Sequence, residues 1–92
     1  MITTAGSVVG AANVAKINGA RETYACATHA VLCGPAVDRL RDAPIKQIIV
    51  TDSIPLPPNK QLANIKVLSV APLLADAIKR IHMHESVSKL FE

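Results

Sequence analysis

The sequence predicts an α/β domain, with a mostly parallel sheet flanked by helices, and three observations support that class. Helical and strand-like segments alternate along the 92 residues in the order helix, strand, helix, strand, strand, helix. The run Ile48-Ile49-Val50 is continuously β-branched, which is typical of a strand covered on both faces. The apolar residues are mainly Ala, Val, Ile and Leu, with only 2% aromatic residues, as in closely packed layers of helix on sheet.

The chain opens with a turn rich in hydroxyl groups, Thr3-Thr4-Ala5-Gly6-Ser7, followed by the apolar spacing of a helix over residues 7–17. A turn of this kind at a helix start directs backbone N–H groups and the positive end of the helix dipole at one place, which favours an anion. The spacing alone favours a plainer interpretation, in which Thr4 or Ser7 only caps the helix. Asn18-Gly19 then ends the helix in a left-handed cap.

The middle of the chain is predicted to form a strand over residues 24–28 and a helix over residues 36–42. Val37 and Leu40 are predicted to face inward from that helix, with its charged residues outward. His29 follows the strand at its carboxyl end, where ligands gather in open α/β sheets. Because no partner for His29 is evident in the sequence, a structural or solvent-facing role is favoured over a phosphate contact.

The second half contains strands predicted at residues 45–51 and 66–70, joined by a connection that holds three of the six prolines. A helix then starts at Pro72 and places five apolar residues on one face: Leu73, Leu74, Ala77, Ile78 and Ile81. For the last eight residues, position at a terminus favours disorder.

Composition argues against several classes of partner. The net charge of +3 comes from scattered cations, and aromatic stacking platforms are lacking, so neither nucleic acid nor a membrane is expected as a partner. His82 and His84 have no further ligands nearby in sequence, so no metal site is predicted. Cys26 is predicted to be a small buried apolar residue, and Cys33 is predicted to lie in a loop. Reduced thiols and a cytoplasmic compartment are expected, with an organellar address left open.

Five strings spread over the chain resemble one family in order. Thr4-Ala5-Gly6-Ser7 is similar to the phosphoribosyl loop of ribose-phosphate pyrophosphokinases, whose pattern is Asp-Asp-Met-Ile-Asp-Thr-Ala-Gly-Thr/Ser. The likeness continues through residues 24–29 with 33–36, and through the segments at residues 49–55, 67–75 and 85–91. The chain therefore resembles the carboxyl-terminal portion of that enzyme, and residues 1–92 are expected to form a truncated C-terminal phosphoribosyltransferase-like domain.

The resemblance implies an activity and two groups of site residues. The family transfers a diphosphate from ATP to the C1 hydroxyl of ribose 5-phosphate with Mg²⁺, giving phosphoribosyl pyrophosphate and AMP for nucleotide biosynthesis. It also forms dimers that build hexamers. The resemblance assigns ribose 5-phosphate binding to four residues: Thr4, Ala5, Gly6 and Ser7. It assigns a regulatory phosphate or nucleotide site to four others: Ser86, Val87, Ser88 and Phe91.

The chain departs from the family pattern at the opening loop. Thr3 stands where the family has an aspartate, and a neutral hydroxyl cannot replace an acidic group near the ribose. Met1 falls on the methionine inside the family loop, so an internal start or truncated reading frame is expected, with the preceding strand missing. Because the ATP and Mg²⁺ ligands of the family lie upstream, we expect the chain alone to be inactive. The alternatives are a non-catalytic regulatory or associated subunit, or an anion-binding α/β module.

Overall fold

A computed structural model describes residues 1–91 of the protein. Within that range, three α-helices and three strands follow one another in this order: α1 (Gly6–Ile17), β1 (Tyr24–Ala27), α2 (Ala36–Arg41), β2 (Gln47–Thr51), β3 (Ile65–Leu68) and α3 (Ala71–His82). Two short 3₁₀ helices, Pro58–Lys60 and Val87–Phe91, precede β3 and follow α3. Helix boundaries agree with the sequence predictions within one residue, whereas strand boundaries shift by up to two. Strand ends depend on the pairing partner as well as on local sequence.

The three strands form one parallel sheet in the order β1-β2-β3, which confirms the predicted α/β class. Ala25 lies opposite Ile48, and Val50 lies opposite Val67. In this register, residues that lie opposite one another point to the same face of the sheet, because alternate residues of a strand point to opposite faces. All three strands end at the same edge of the sheet, beside the opening loop.

Helices α1 and α2 cover one face of the sheet and enclose the core. Ala12 of α1 and Leu40 of α2 are buried, as are Ala25, Ile48 and Val50 of the sheet. The small side chain of Ala12 allows α1 to approach the core closely. The alanine-rich composition therefore fits a tight layer of helix on sheet.

The other face of the sheet is uncovered in the described part of the chain. Tyr24 and Leu68 are 50% and 48% exposed, Cys26 is exposed and Ile49 is half-buried. The predictions that Ile48-Ile49-Val50 is covered on both faces and that Cys26 is buried are therefore wrong for this chain. Ile48 and Val50 point to the helices, whereas Cys26 and Ile49 point away from them.

The opening loop begins next to the continuation of β1. Ile2 forms a parallel bridge with Ala30, in which Ile2 N–H donates to His29 O over 2.9 Å and Val31 N–H donates to Ile2 O over 3.0 Å. Ile2 is itself buried. The loop that follows is therefore anchored at the carboxyl-terminal edge of the sheet.

Helix α3 extends away from the core. None of its residues is buried, and its predicted apolar face leaves Leu74, Ile78 and Ile81 at 55%, 68% and 64% exposure. Its contacts run mainly to the 3₁₀ helix Val87–Phe91. The molecule is accordingly elongated, with extents of 50 × 30 × 19 Å.

Candidate functional site

The opening loop adopts a conformation that an ordinary helix cap does not require. Ala5 precedes α1 with φ of 67°, in the left-handed region, and no side chain caps the helix. The interpretation in which Thr4 or Ser7 acts as the cap is therefore wrong, since a capping residue needs extended backbone angles at the position that Ala5 occupies. A left-handed residue followed by a right-handed helix forms a backbone nest, a known anion-binding shape.

The carbonyl oxygens of residues 2–5 all accept hydrogen bonds from the rest of the domain. The donors are the N–H groups of Val31 and Leu32 to Ile2 O, of Cys33 to Thr3 O and of Val9 to Ala5 O, and Nη1 of Arg39 to Thr4 O. These bonds hold the carbonyl side of the loop against the segment after β1 and against both helices. The loop is therefore rigidly placed although most of it is exposed.

The N–H groups of the loop are directed the other way. Within residues 1–91, none of the N–H groups of residues 3–8 forms a hydrogen bond. Residues 1–8 line a concavity of about 90 Å³. The hydroxyl-bearing residues Thr3, Thr4 and Ser7 also line it. Free N–H groups, hydroxyls and the positive end of α1 meet here, an arrangement that favours an anion such as a phosphate group.

Arg39 is the residue at this site that sequence reasoning missed. Helix periodicity predicts only that Arg39 points outward, whereas its Nη1 donates to Thr4 O over 3.1 Å from 35 positions along the chain. A Cβ atom added at Gly6 would lie 3.3 Å from the same Nη1. The glycine therefore leaves room for the guanidinium. In the sequence, the available signal was an arginine on a predicted helix with no assigned partner.

His29 also has a partner that the sequence does not reveal. Its Nδ1 lies 2.7 Å from Ser53 Oγ, and Ser53 Oγ lies 3.0 Å from Thr28 O, which also accepts from the Thr51 hydroxyl over 2.6 Å. The expectation that nothing pairs with His29 is wrong. This network joins the carboxyl ends of β1 and β2, and the carbonyl of His29 accepts from Ile2. The network therefore supports the start of the loop.

Asp52 connects the same sheet edge to α3. The N–H of Val70 donates to its carboxylate over 2.8 Å, and that bond, with a second from the Ser69 hydroxyl, lowers the pKa of Asp52 below its usual value of 3.8. Both bonds favour the charged form. Asp52 therefore helps to fix the start of α3.

The tail is ordered over the residues assigned to a regulatory site. It forms a 3₁₀ helix rather than the disorder that its terminal position favours, with the hydroxyl oxygens of Ser86 and Ser88 2.7 Å apart. Arg80 of α3 donates to Ser86 O over 3.4 Å. Phe91 is 74% exposed, and no hydrogen bond or ion pair between described residues joins the tail to the loop. The two groups of predicted site residues are therefore separate in this chain.

The described residues do not supply a set of metal ligands. Among residues 1–91, no three His, Cys, Asp or Glu side chains are close enough together to hold a metal ion. None of the helices in that range is long and apolar enough to cross a membrane.

Comparison with known proteins gives the family. The family model described as the phosphoribosyl synthetase-associated domain matches residues 1–92. The chain belongs to this family. Its sequence is 58% identical over 91 residues to a ribose-phosphate pyrophosphokinase of Caldanaerobacter subterraneus subsp. tengcongensis, and 54% identical over 91 residues to one of Bacillus subtilis. Each alignment covers 99% of this chain and 29% of the relative.

A solved structure supports both the family and the fold. The crystal structure of phosphoribosylpyrophosphate synthetase from Mycobacterium smegmatis superposes with a TM-score of 0.89 at 38% identity, covering 91% of this chain and 28% of that one. The resemblance inferred from the sequence is therefore confirmed, as is the α/β architecture. This family member spans about three-tenths of the length of the relatives that it matches.

Proposed function

We propose that the chain is the phosphate-holding, carboxyl-terminal part of a ribose-phosphate pyrophosphokinase, a phosphoribosyltransferase-like domain that serves nucleotide biosynthesis. The observation that carries the proposal is the set of free N–H groups in residues 3–8 around a concavity of about 90 Å³. The family membership and the names of the relatives support ribose 5-phosphate as the ligand.

In this proposal, Thr4, Ala5, Gly6 and Ser7 hold the 5-phosphate of the sugar. Ala5 and Gly6 donate backbone N–H groups, and the hydroxyls of Thr4 and Ser7 supply further donors. A phosphate fixed by a rigid loop holds the remainder of the sugar in a limited set of positions. Transfer of a diphosphate to the C1 hydroxyl depends on such positioning.

Thr3 limits what this loop does with the ribose ring. An aspartate at that position could accept hydrogen bonds from sugar hydroxyls as an anion, whereas threonine is neutral. We therefore expect recognition of the phosphate with weak discrimination of the sugar. This feature favours a second candidate, a non-catalytic associated subunit that holds a phosphate ligand without turnover.

The other components of the family's activity are proposed for the full-length enzyme, of which this chain matches about three-tenths. ATP and Mg²⁺ would supply the transferred diphosphate and the charge stabilisation. Ser86, Val87, Ser88 and Phe91 would contribute to a regulatory phosphate or nucleotide site in an oligomer of dimers forming a hexamer. A cytoplasmic location fits this role.

Calorimetric titration of the 92-residue chain with ribose 5-phosphate tests the proposal. Ser7→Ala removes one hydroxyl donor to a charged phosphate, so binding should weaken about tenfold. The control Asn13→Ala removes an exposed polar group from the same helix outside the loop and should bind like the wild type. Ribose without phosphate should not bind.

An enzymatic assay tests the expectation, shared by both candidates, that the chain alone is inactive. With ATP, Mg²⁺ and ribose 5-phosphate, the chain alone should release no AMP above a boiled control. AMP release would show turnover and exclude the associated subunit. Absence of ribose 5-phosphate binding in the titration, or equal affinity of Ser7→Ala and wild type, would contradict the assignment of the loop.

A further inference from the structure

We propose that Arg39 is a positioning residue of the phosphate loop, which aims the Ala5 N–H into the concavity and supplies the loop with its side-chain cation. This inference rests on the proposed function, since the ligand is the phosphate assigned to residues 4–7. It concerns a residue on α2 that lies outside the loop in sequence.

The direction of the Ala5 N–H follows from the geometry of one peptide group. Arg39 Nη1 donates to Thr4 O over 3.1 Å. In a planar trans peptide, the carbonyl oxygen of Thr4 and the N–H of Ala5 point in opposite directions. A donor that holds the carbonyl toward α2 therefore holds the Ala5 N–H toward the open side of the loop. Ala5 needs such support, because its φ of 67° is unfavourable for a residue with a side chain.

The charge of Arg39 acts independently of the peptide geometry. None of the side chains of residues 1–8 is charged, so the loop itself has no cationic side chain to offer a phosphate. Arg39 brings a permanent positive charge to the carbonyl side of the loop, behind the concavity that residues 1–8 line, so the charge acts on a phosphate through space. Its closeness to Gly6, where a Cβ would lie 3.3 Å from Nη1, places this charge directly against the loop.

The ion pairs of α2 favour this role over that of an ordinary surface arginine. Arg41 on the same helix pairs with Asp38 over 3.0 Å. Arg39 has no carboxylate partner among residues 1–91, and its recorded bond goes to the loop backbone. The acidic residue available on α2 is therefore taken by Arg41, which leaves the charge of Arg39 uncompensated.

The test compares Arg39→Gln with Arg41→Gln in the full 92-residue chain. Both variants remove one exposed positive charge from α2, so the second controls for net charge. Titration with ribose 5-phosphate and with inorganic phosphate should show Arg39→Gln about threefold to tenfold weaker, the effect of one lost hydrogen bond, and Arg41→Gln near wild type. Arg39→Lys keeps the charge but loses the planar fork, so it should restore only part of the affinity.

A measurement without ligand tests the geometry separately. The NMR coupling between the amide and α protons of Ala5, which reports φ, should change in Arg39→Gln and stay unchanged in Arg41→Gln. Thermal unfolding should be similar in all variants, because Arg39 is exposed.

The outcomes distinguish this inference from the proposed function. If wild type does not bind either phosphate ligand, the proposed function is wrong and the charge role of Arg39 falls with it, while the Ala5 coupling still decides whether Arg39 sets the loop. If wild type binds, and Arg39→Gln matches Arg41→Gln in affinity and coupling, the inference is overturned. If Arg39→Lys has the full affinity that Arg39→Gln loses, the effect of Arg39 is one of charge alone and its geometric role is overturned.

Discussion

At the scale of single residues, neighbouring positions on α2 have opposite tasks. Leu40 is fully buried and packs in the core with Ile48 and Val50, whereas Arg39 is exposed and contacts the loop. A helix can serve both purposes because successive side chains point about 100° apart around its axis. The same short element therefore stabilises the domain and shapes the site.

The first stability prediction concerns Leu40. Leu40→Ala should leave a cavity in the core and cost about 2–5 kcal/mol of unfolding free energy. A domain of this size has only about 3–5 kcal/mol from its core, so the variant should be largely unfolded near 37 °C. Circular dichroism during thermal unfolding measures the change.

The matched control is Leu74→Ala on α3. This residue is 55% exposed, so the same chemical change should cost less than about 1 kcal/mol. If the two variants unfold at similar temperatures, the core is not centred on Leu40.

At the scale of elements, α3 is held to the sheet mainly at its start. The Asp52 carboxylate accepts the N–H of Val70, and the Ser69 hydroxyl accepts the N–H of Ala71 over 3.2 Å. A negative charge at the start of a helix also interacts favourably with the helix dipole. The charged form of Asp52 therefore stabilises the start of α3.

This arrangement predicts a pH dependence. The pKa of Asp52 is lower in the folded chain than its ordinary 3.8, so the unfolded chain binds more protons and stability rises with pH. The stabilisation is fully present above the ordinary pKa and is lost as pH falls through the folded-state value. Asp52→Asn should be less stable than wild type at pH 6, and the difference should close below pH about 3.8.

Urea unfolding at several pH values measures this difference. Asp42→Asn, at an exposed position after α2, is the control and should follow the wild-type pH profile. A gap between wild type and Asp52→Asn that stays constant from pH 6 to about pH 2 would contradict the role of the charge.

At the scale of the whole molecule, two apolar surfaces are uncovered in the described chain. One is the sheet face that carries Cys26, Ile49 and Leu68, and the other is the face of α3 that carries Leu74 and Ile78. The radius of gyration is 16.2 Å, whereas about 12 Å is expected for a compact domain of this length. Surfaces of this kind favour association, because burying them removes apolar area from water.

We therefore predict that the 92-residue chain associates with itself when made alone. Sedimentation should give a mass above the monomer value of 9.7 kDa at micromolar concentration. Ile78→Glu places a charge in the middle of the exposed apolar face of α3 and should shift the population toward monomer. Lys79→Gln, at the next position of the same helix, lowers the net charge by the same one unit without changing the apolar face, so it is the control and should associate more than Ile78→Glu.

A cooperative monomer for the wild type would contradict this prediction. In that case the exposed face of α3 would be tolerated in water, and the domain would be stable without cover. Association that persists equally in both variants would instead assign the contact to the open sheet face.

Local sequence was sufficient for the features that depend on neighbouring residues. The helix Gly6–Ile17 was predictable because its apolar spacing and Gly19 act within a few positions, and the helix Ala36–Arg41 was predictable from its own apolar spacing. The parallel sheet was predictable because β-branched runs alternate with helices. The opening loop could be identified as a candidate site because its glycine and hydroxyls are contiguous, and the resemblance of its motif added the ligand.

Tertiary structure decided every feature that depends on residues far apart in sequence. Ser53 meets His29 across 24 positions, and Arg39 meets Thr4 across 35. Whether Cys26 is buried depends on which layers cover the sheet, and the apolar composition of a strand does not contain that information. The left-handed Ala5 likewise follows from the bonds that hold the loop, since alanine has no local preference for that conformation. Short-range rules describe the backbone of one segment, but contacts between segments exist only once the chain has packed.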